Sequence, residues 1–280
     1  MPEILDYAFM QRALLAAALV GLAAPVVGIF IVQRRLSLIG DGLGHVALAG
    51  VAVGLFTGEA PVWTAMLAAV GAAVALELLR WRGRTSGDVL LAVIFYGGIA
   101  AASVLVSLAP DSTAANLTAY LFGSITTTSA GDVRAFAALA VVLLAGALLL
   151  RPWLFAVSND EEFSRAVGLP VLPVNLVLAV MTAVTVVMSM RTVGLLLISA
   201  LMVIPNAAAQ QVAGSFRTSL ALAVGLGLAV SVSGVTTSFY ADVPSGGTIV
   251  LLAIAAFLVL VAARSARGRL TGRRRAVPGS

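Results

Sequence analysis

The chain contains no cysteine and a single histidine among its 280 residues. Without cysteine there is no disulfide framework and no thiolate metal site. One histidine also excludes zinc-protease signatures, which need two. Charge is equally sparse: Asp, Glu, Lys and Arg make up 10% of the residues, against roughly a quarter in soluble domains. No P-loop, nucleophile elbow or dinucleotide fingerprint accompanies a strand pattern. If ATP drives this protein, another chain hydrolyses it. No polar stretch is long enough to form a separate soluble domain.

What fills the chain is apolar: 61% of residues are hydrophobic and the mean hydropathy is +1.08. Residues 13–32, 89–109, 174–190 and 243–263 carry no charge, and a bilayer core needs about 20 such residues per helix. Lipid requires every backbone group to be bonded internally, and the short alternating segments of a barrel are absent. The expected fold is all-α, a polytopic integral membrane protein with spans near 12–33, 41–58, 62–80, 88–109, 133–151, 172–190, 192–209, 218–239 and 246–263. Met190 and Arg191 leave almost no loop before 192–209, so the count is eight or nine. One transmembrane domain over 1–265 and a basic tail over 266–280 account for the chain. Glu3 and Asp6 stand where a signal peptide would carry positive charge, so the first span reads as retained.

The net charge of +5 and pI near 10.7 need no nucleic acid to explain them, because cytoplasmic loops of membrane proteins collect arginine. Arg34, Arg35, Arg80, Arg82, Arg84, Arg151 and the C-terminal arginines are assigned to the cytoplasm. That puts the N-terminus outside, with outer loops at 111–132 and 240–247; Arg191 falls on the outer side against the rule. Alanine richness and arginine in place of lysine suit a high-GC bacterium. Two segments are too polar to span. Residues 158–170 read as a short helix with Ser158 and Glu161 as its capping box, Glu161 and Glu162 in its first turn, and Gly168 and Pro170 stopping it. Residues 207–219 hold Gln210, Gln211, Gly214, Ser215 and Arg217. Both lie on the cytoplasmic side, where a permease driven by a separate motor needs a short helix to receive force.

The lone histidine, His45, follows Asp41 by four residues. On a helix this spacing is about 6 Å along the axis and puts both side chains on one face. Carboxylate oxygen and imidazole nitrogen suit zinc, manganese or iron(II). Two ligands are half a site, which a twofold dimer would complete; Gly40, Gly42 and Gly44 around them suggest flexibility and easy release. From spacing alone, a satisfied His–Asp hydrogen bond explains the pair as well. Among the other ionisable groups, Asp88 reads as a helix cap, Glu77 and Arg80 as a snorkelling ion pair, and Glu59 and Asp111 as loop charge. Met188 and Met190 read as packing residues, and Gly225, Gly227 and Gly234 as points of close helix approach.

The stretch from Arg34 through Arg35, Gly40, Asp41, Gly42 and Gly44 to His45 resembles the most distinctive motif of the membrane subunits of bacterial zinc/manganese/iron ABC importers. Residues 119–124, 193–208 and 238–246 agree with that family in order, so the resemblance covers nearly the whole chain. It implies a permease homodimer in the bacterial cytoplasmic membrane, two cytoplasmic ATP-binding subunits and an extracellular or periplasmic metal-binding protein. It also implies eight spans, and puts Asp41 and His45 on the translocation path of a transported ion, with no permanently bound cofactor. The segment at 119–124 is most like the zinc branch, so zinc is expected before manganese or iron. Asn206 departs from the small residue that relatives often carry after Ile-Pro. ATPase coupling is expected at Glu161, Glu162, Gly168, Gln210, Gln211 and Arg217. A proton-coupled secondary transporter, with Asp41 and His45 as a relay, is the alternative, but no inverted repeat supports it. An intramembrane enzyme using Asp41 would need more buried polar groups than the sequence supplies.

Overall fold

The computed structural model describes residues 6–83, 86–108, 120–121, 123 and 129–275, with backbone only for 132, 191–193, 196 and 266–275. Arg84, Asp111, most of the 111–132 loop and half of 119–124 lie outside the described residues, as do the side chains of Arg191 and of the arginines beyond 265. Among the described residues there are helices and no strands: α1 (Ala8–Gln33), α2 (Ile39–Thr57), α3 (Pro61–Trp81), α4 (Gly87–Ser107), α5 (Ala130–Leu149), α6 (Arg151–Asn159), α7 (Glu161–Ala166), α8 (Val171–Val193), α9 (Leu195–Gln210), α10 (Phe216–Ala241) and α11 (Ser245–Arg275).

Seven of these are long and apolar enough to cross a membrane. An eighth appears if α5 and α6, bent by 70° at Leu150, are counted as one broken span. The expected ninth span at 192–209 becomes the 16-residue α9. At 1.5 Å per residue it is about 24 Å long, short of the roughly 30 Å hydrocarbon layer. It packs on both α1 and α2. Leu195 and Ser199 of α9 face Gly44 and Gly40 of α2, while Met202 and Asn206 face Gly28 and Pro25 of α1. Moving along α9 therefore descends α2 and also runs backward along α1. α9 therefore bridges the two helices.

Ring contacts fix the sidedness of the bundle. Phe30 at the end of α1 meets Phe216 at the start of α10 (5.8 Å), and Tyr7 before α1 meets Phe239 at the end of α10 (6.1 Å). The pole holding Phe216 also gathers Arg34, Arg80, Arg151, Arg165, Arg217 and Arg264, and by the positive-inside rule it is cytoplasmic.

Small residues set how closely the helices approach. Gly227 meets the Gly21 carbonyl and Pro25, and Gly234 sits on Ile249, whereas Gly225, expected to pack likewise, faces open space. Asn206 is completely buried, and its amide donates to the Pro25 carbonyl (2.9 Å) and the Met202 carbonyl (2.8 Å). Its role is a strap between α1 and α9. A methyl group on Gly28 would overlap the Met202 carbonyl, and overpacking of this kind costs about 1–3 kcal/mol. Gly28→Ala is therefore expected to lower the thermal unfolding temperature of the purified protein, while Gly225→Ala leaves it unchanged.

Candidate functional site

The candidate site grows from the turn between α1 and α2. Arg35 takes φ +58°, and the Leu36 and Arg35 amides donate to the Ile31 and Val32 carbonyls (both 3.1 Å). This is a Schellman turn with arginine where glycine is usual, at a cost of about 1–2 kcal/mol. Leu36 is buried, the Ile39 amide donates to the Leu36 carbonyl (3.0 Å), and α2 begins immediately. Asp41 thus sits in the first turn of α2 and His45 one turn further in.

Close contacts to α9, α4 and α3 cover much of α2. Gly40 and Gly44 meet Ser199 and Leu195 of α9, Gly42 meets Leu91 of α4, and Gly50 and Gly54 meet the start of α3. Gly98 of α4 lies against the His45 backbone, where an added Cβ would be 2.9 Å from the His45 carbonyl carbon. The glycines around Asp41 are therefore contact points, not the flexible joints expected from sequence. The face that stays open presents Asp41 and His45, both half-buried, to a cavity of about 470 Å³ between α2 and α4. Leu38, Asp88, Leu91, Ala92, Phe95 and Tyr96 complete its lining. The Phe95 ring stands edge-on to the His45 ring at 5.1 Å and 86°.

Asp88, which the sequence presents as a helix cap, faces this cavity as well. Ser86, with no side-chain cap bond, is the N-cap of α4, and Asp88 in the first turn lines the same cavity as Asp41 and His45. Its sequence signal, an acid at a helix start, is the same as that of an ordinary cap. Among the described residues no three His, Cys, Asp or Glu side chains converge to hold a metal ion. One chain thus offers two donors on one helix and a third acid across the cavity.

The second polar centre joins the cytoplasmic ends of four helices. Glu77 of α3 is 2% exposed and pairs with Arg34 (3.5 Å) and Arg80 (3.3 Å). Glu161 of α7 pairs with Arg80 (2.5 Å), Arg34 (3.3 Å) and Arg165 (3.3 Å). With its amide oxygen turned toward the guanidinium groups, Asn175 of α8 accepts from Arg34 at 3.2 Å and Arg80 at 3.3 Å. Burial pulls the Arg34 guanidinium below its ordinary pKa; Glu77 opposes that shift, Arg80 reinforces it and Glu161 opposes it again. Arginine keeps its proton through such shifts. The expected Glu77–Arg80 pair therefore forms, but Glu77 is buried and shared with Arg34 in a network instead of snorkelling to solvent.

The expected capping box is corrected here. Ser158 lies inside α6, and Asp160 is the N-cap of α7, its carboxylate accepting from the Phe163 amide at 2.8 Å. With Asp160 available, the Glu161 side chain is free to reach the arginines. Gly168, at φ +82°, ends α7 as expected, with the Leu169 amide donating to the Ser164 carbonyl (3.0 Å). Glu162 is exposed. Gln211 accepts from Arg264 at 2.9 Å. Arg217 lines a separate groove of about 460 Å³ with Arg151, Pro152, Phe155, Ser215 and Phe216. Among the described residues no hydrogen bond or ion pair joins Glu161 or Glu162 to Gln210, Gln211 or Arg217.

The profile of ABC-3, the ABC 3 transport family, matches residues 6–264. A probable metal transport system membrane protein of Treponema pallidum is 31% identical over 92% of this chain and 97% of its own. The manganese transport system membrane protein MntC of Halalkalibacterium halodurans is 30% identical over 96% and 92%. Among solved structures, PsaBC from Streptococcus pneumoniae in complex with Fab aligns with a TM-score of 0.81 and 29% identity over 92% of each chain.

The charge network yields a graded expectation. Glu77→Gln leaves Arg34, whose side chain is 4% exposed, with one carboxylate fewer, and breaking a buried pair costs about 3–5 kcal/mol. Glu161, at 31% exposure, retains solvent around it, so Glu161→Gln costs less. Thermal unfolding of the two purified variants measures the order, and equal losses would show that burial does not decide it.

Proposed function

The chain belongs to the ABC 3 transport family, and from that premise we propose that it is the permease subunit of an importer carrying a divalent transition-metal ion across the bacterial cytoplasmic membrane. The single observation that carries the reading is the open face of α2. Close contacts to α3, α4 and α9 hold that helix, and its open face presents a carboxylate and an imidazole to a cavity. A polar pair at membrane depth is a functional feature by default.

Asp41 and His45 are half of a transient cation station. A second copy of the chain brings the other two donors, giving a four-coordinate site of the kind zinc takes. Oxygen and nitrogen donors also suit manganese and iron(II). Zinc comes first from sequence, and the manganese system among the relatives puts manganese beside it. Tight enclosure by a resident ligand set would trap the ion; two donors per chain allow it to leave. Asp88, across the same cavity, is the next acid on the way out.

Energy comes from cytoplasmic ATP-binding subunits and cargo from an extracellular or periplasmic metal-binding protein. The ATPase surface is α7 with its flanks, where Glu161, Glu162 and Gly168 lie, together with Gln210, Gln211 and Arg217 near the α9–α10 turn. The domain spans 1–265, with 266–280 as a basic cytoplasmic tail. The proton-coupled alternative loses its ground once the family is an ABC transport family.

His45→Ala is expected to reduce Mn²⁺ and Zn²⁺ uptake to background in proteoliposomes holding the complete importer, while the variant still co-purifies with its ATPase. Normal uptake by that variant would sink the ligand assignment.

A further inference from the structure

We propose that Arg34 is a positioning residue that ties α7 to the first turn of α2, so that displacement of α7 by the ATPase is delivered to Asp41. This rests on the reading of Asp41 and His45 as the cation station and of α7 as the ATPase contact.

Three observations carry it. The first is charge. Arg34, Arg80, Glu77 and Glu161 form a neutral quartet, and three of its members sit on α3 or at the end of α1. Only Glu161 comes from α7. Withdrawing α7 leaves the remaining three with one excess positive charge beside a nearly buried guanidinium. That is costly unless the groups move with it. The carboxylate of Glu161 is thus held to Arg34 and Arg80 more firmly than a surface pair would be.

The second is stiffness. Arg34 is the C-cap of α1, and the Schellman turn that follows has two bridging backbone hydrogen bonds and a buried Leu36. Only four residues separate the Arg34 position from Ile39, where α2 starts. A pull on the Arg34 guanidinium reaches Asp41 without a slack loop between them. The left-handed arginine at position 35 fits a turn held by its surroundings.

The third is geometry. One guanidinium spans two carboxylates on different helices, Nη1 to Glu77 and Nη2 to Glu161. Asn175 of α8 accepts from the same nitrogen that meets Glu161. A lysine ammonium is a point donor and cannot reproduce that fork. Arg165 stacks over Trp81 at 4.3 Å while contacting the other Glu161 oxygen, which keeps α7 in register with the end of α3.

The test is the stoichiometry of transport. Full-length chain is reconstituted with its ATP-binding subunit and metal-binding protein, and Mn²⁺ taken up per ATP hydrolysed is measured for the wild type, Arg34→Lys, Arg34→Gln and Asp41→Asn. Arg34→Lys keeps the buried charge, so it is the variant that spares the fold. For both Arg34 variants the expected result is ATP hydrolysis within about twofold of wild type. Mn²⁺ binding to the isolated permease is expected to stay within about threefold, and ions per ATP to fall at least tenfold. Wild-type stoichiometry in Arg34→Lys overturns the proposal, as does loss of ATPase assembly, which would make Arg34 a docking residue. Asp41→Asn separates the two claims: it is expected to lose Mn²⁺ binding in the isolated permease. Normal binding there overturns the cation station whatever the Arg34 variants do.

Discussion

Glu77 is the carboxylate on which the cytoplasmic half of the molecule depends. It lies 2% exposed at the end of α3, between the guanidinium groups of Arg34 and Arg80. In a chain with 10% charged residues, this concentration of buried charge at one point is a constraint more than a source of stability. A buried pair often does no better than an apolar replacement of the same shape, but it tolerates no missing member. The network therefore specifies position. It brings the ends of α1 and α3, the start of α7 and the first turn of α8 into one arrangement, since each supplies a group that another requires.

The same demand for exact approach governs the membrane interior by different means. Lipid supplies no hydrophobic drive between helices, so association relies on close packing. Gly21 against Gly227, Gly28 against Met202, and the α2 glycines against α3, α4 and α9 let backbones meet where any side chain would hold them apart. The result for α2 is a helix held by close contacts to α3, α4 and α9. Asp41 and His45 occupy its open face, so their position follows from contacts made by their neighbours in sequence rather than by themselves.

Much of this was legible in the sequence, and the failures have identifiable causes. Long uncharged runs announced the spans, and arginine placement announced the cytoplasmic pole, because both are one-dimensional signals. The Gly168 stop was readable because a left-handed helix end favours glycine. Ser158 was misread as a cap since Ser, Asn and Asp stand consecutively from 158 to 160, and each can accept from a helix start; extension of α6 through Asn159 decided for Asp160. Residues 192–209 were hydrophobic enough for a span, but hydropathy does not show that Gly194, at φ +90°, breaks the run and leaves a 16-residue helix. Glycine in α2 was read as flexibility because a missing side chain looks the same in sequence whether its space is empty or filled by a neighbour.

The sequence by itself determined the solvent and the chemistry. A chain this apolar folds in lipid as helices because no other structure bonds its backbone there, and its only imidazole lies one helical turn from a carboxylate. Tertiary structure alone decided which groups meet. Arg34, Glu77, Glu161 and Asn175 are up to 141 residues apart in the chain (175 − 34), and nothing local pairs them. Asp88 joins Asp41 and His45 only because Gly98 and Gly42 let α4 lie against α2. Periodicity and composition are properties of neighbours along the chain, whereas a cavity and a charge network are properties of neighbours in space. Packing creates those neighbours once the helices have formed.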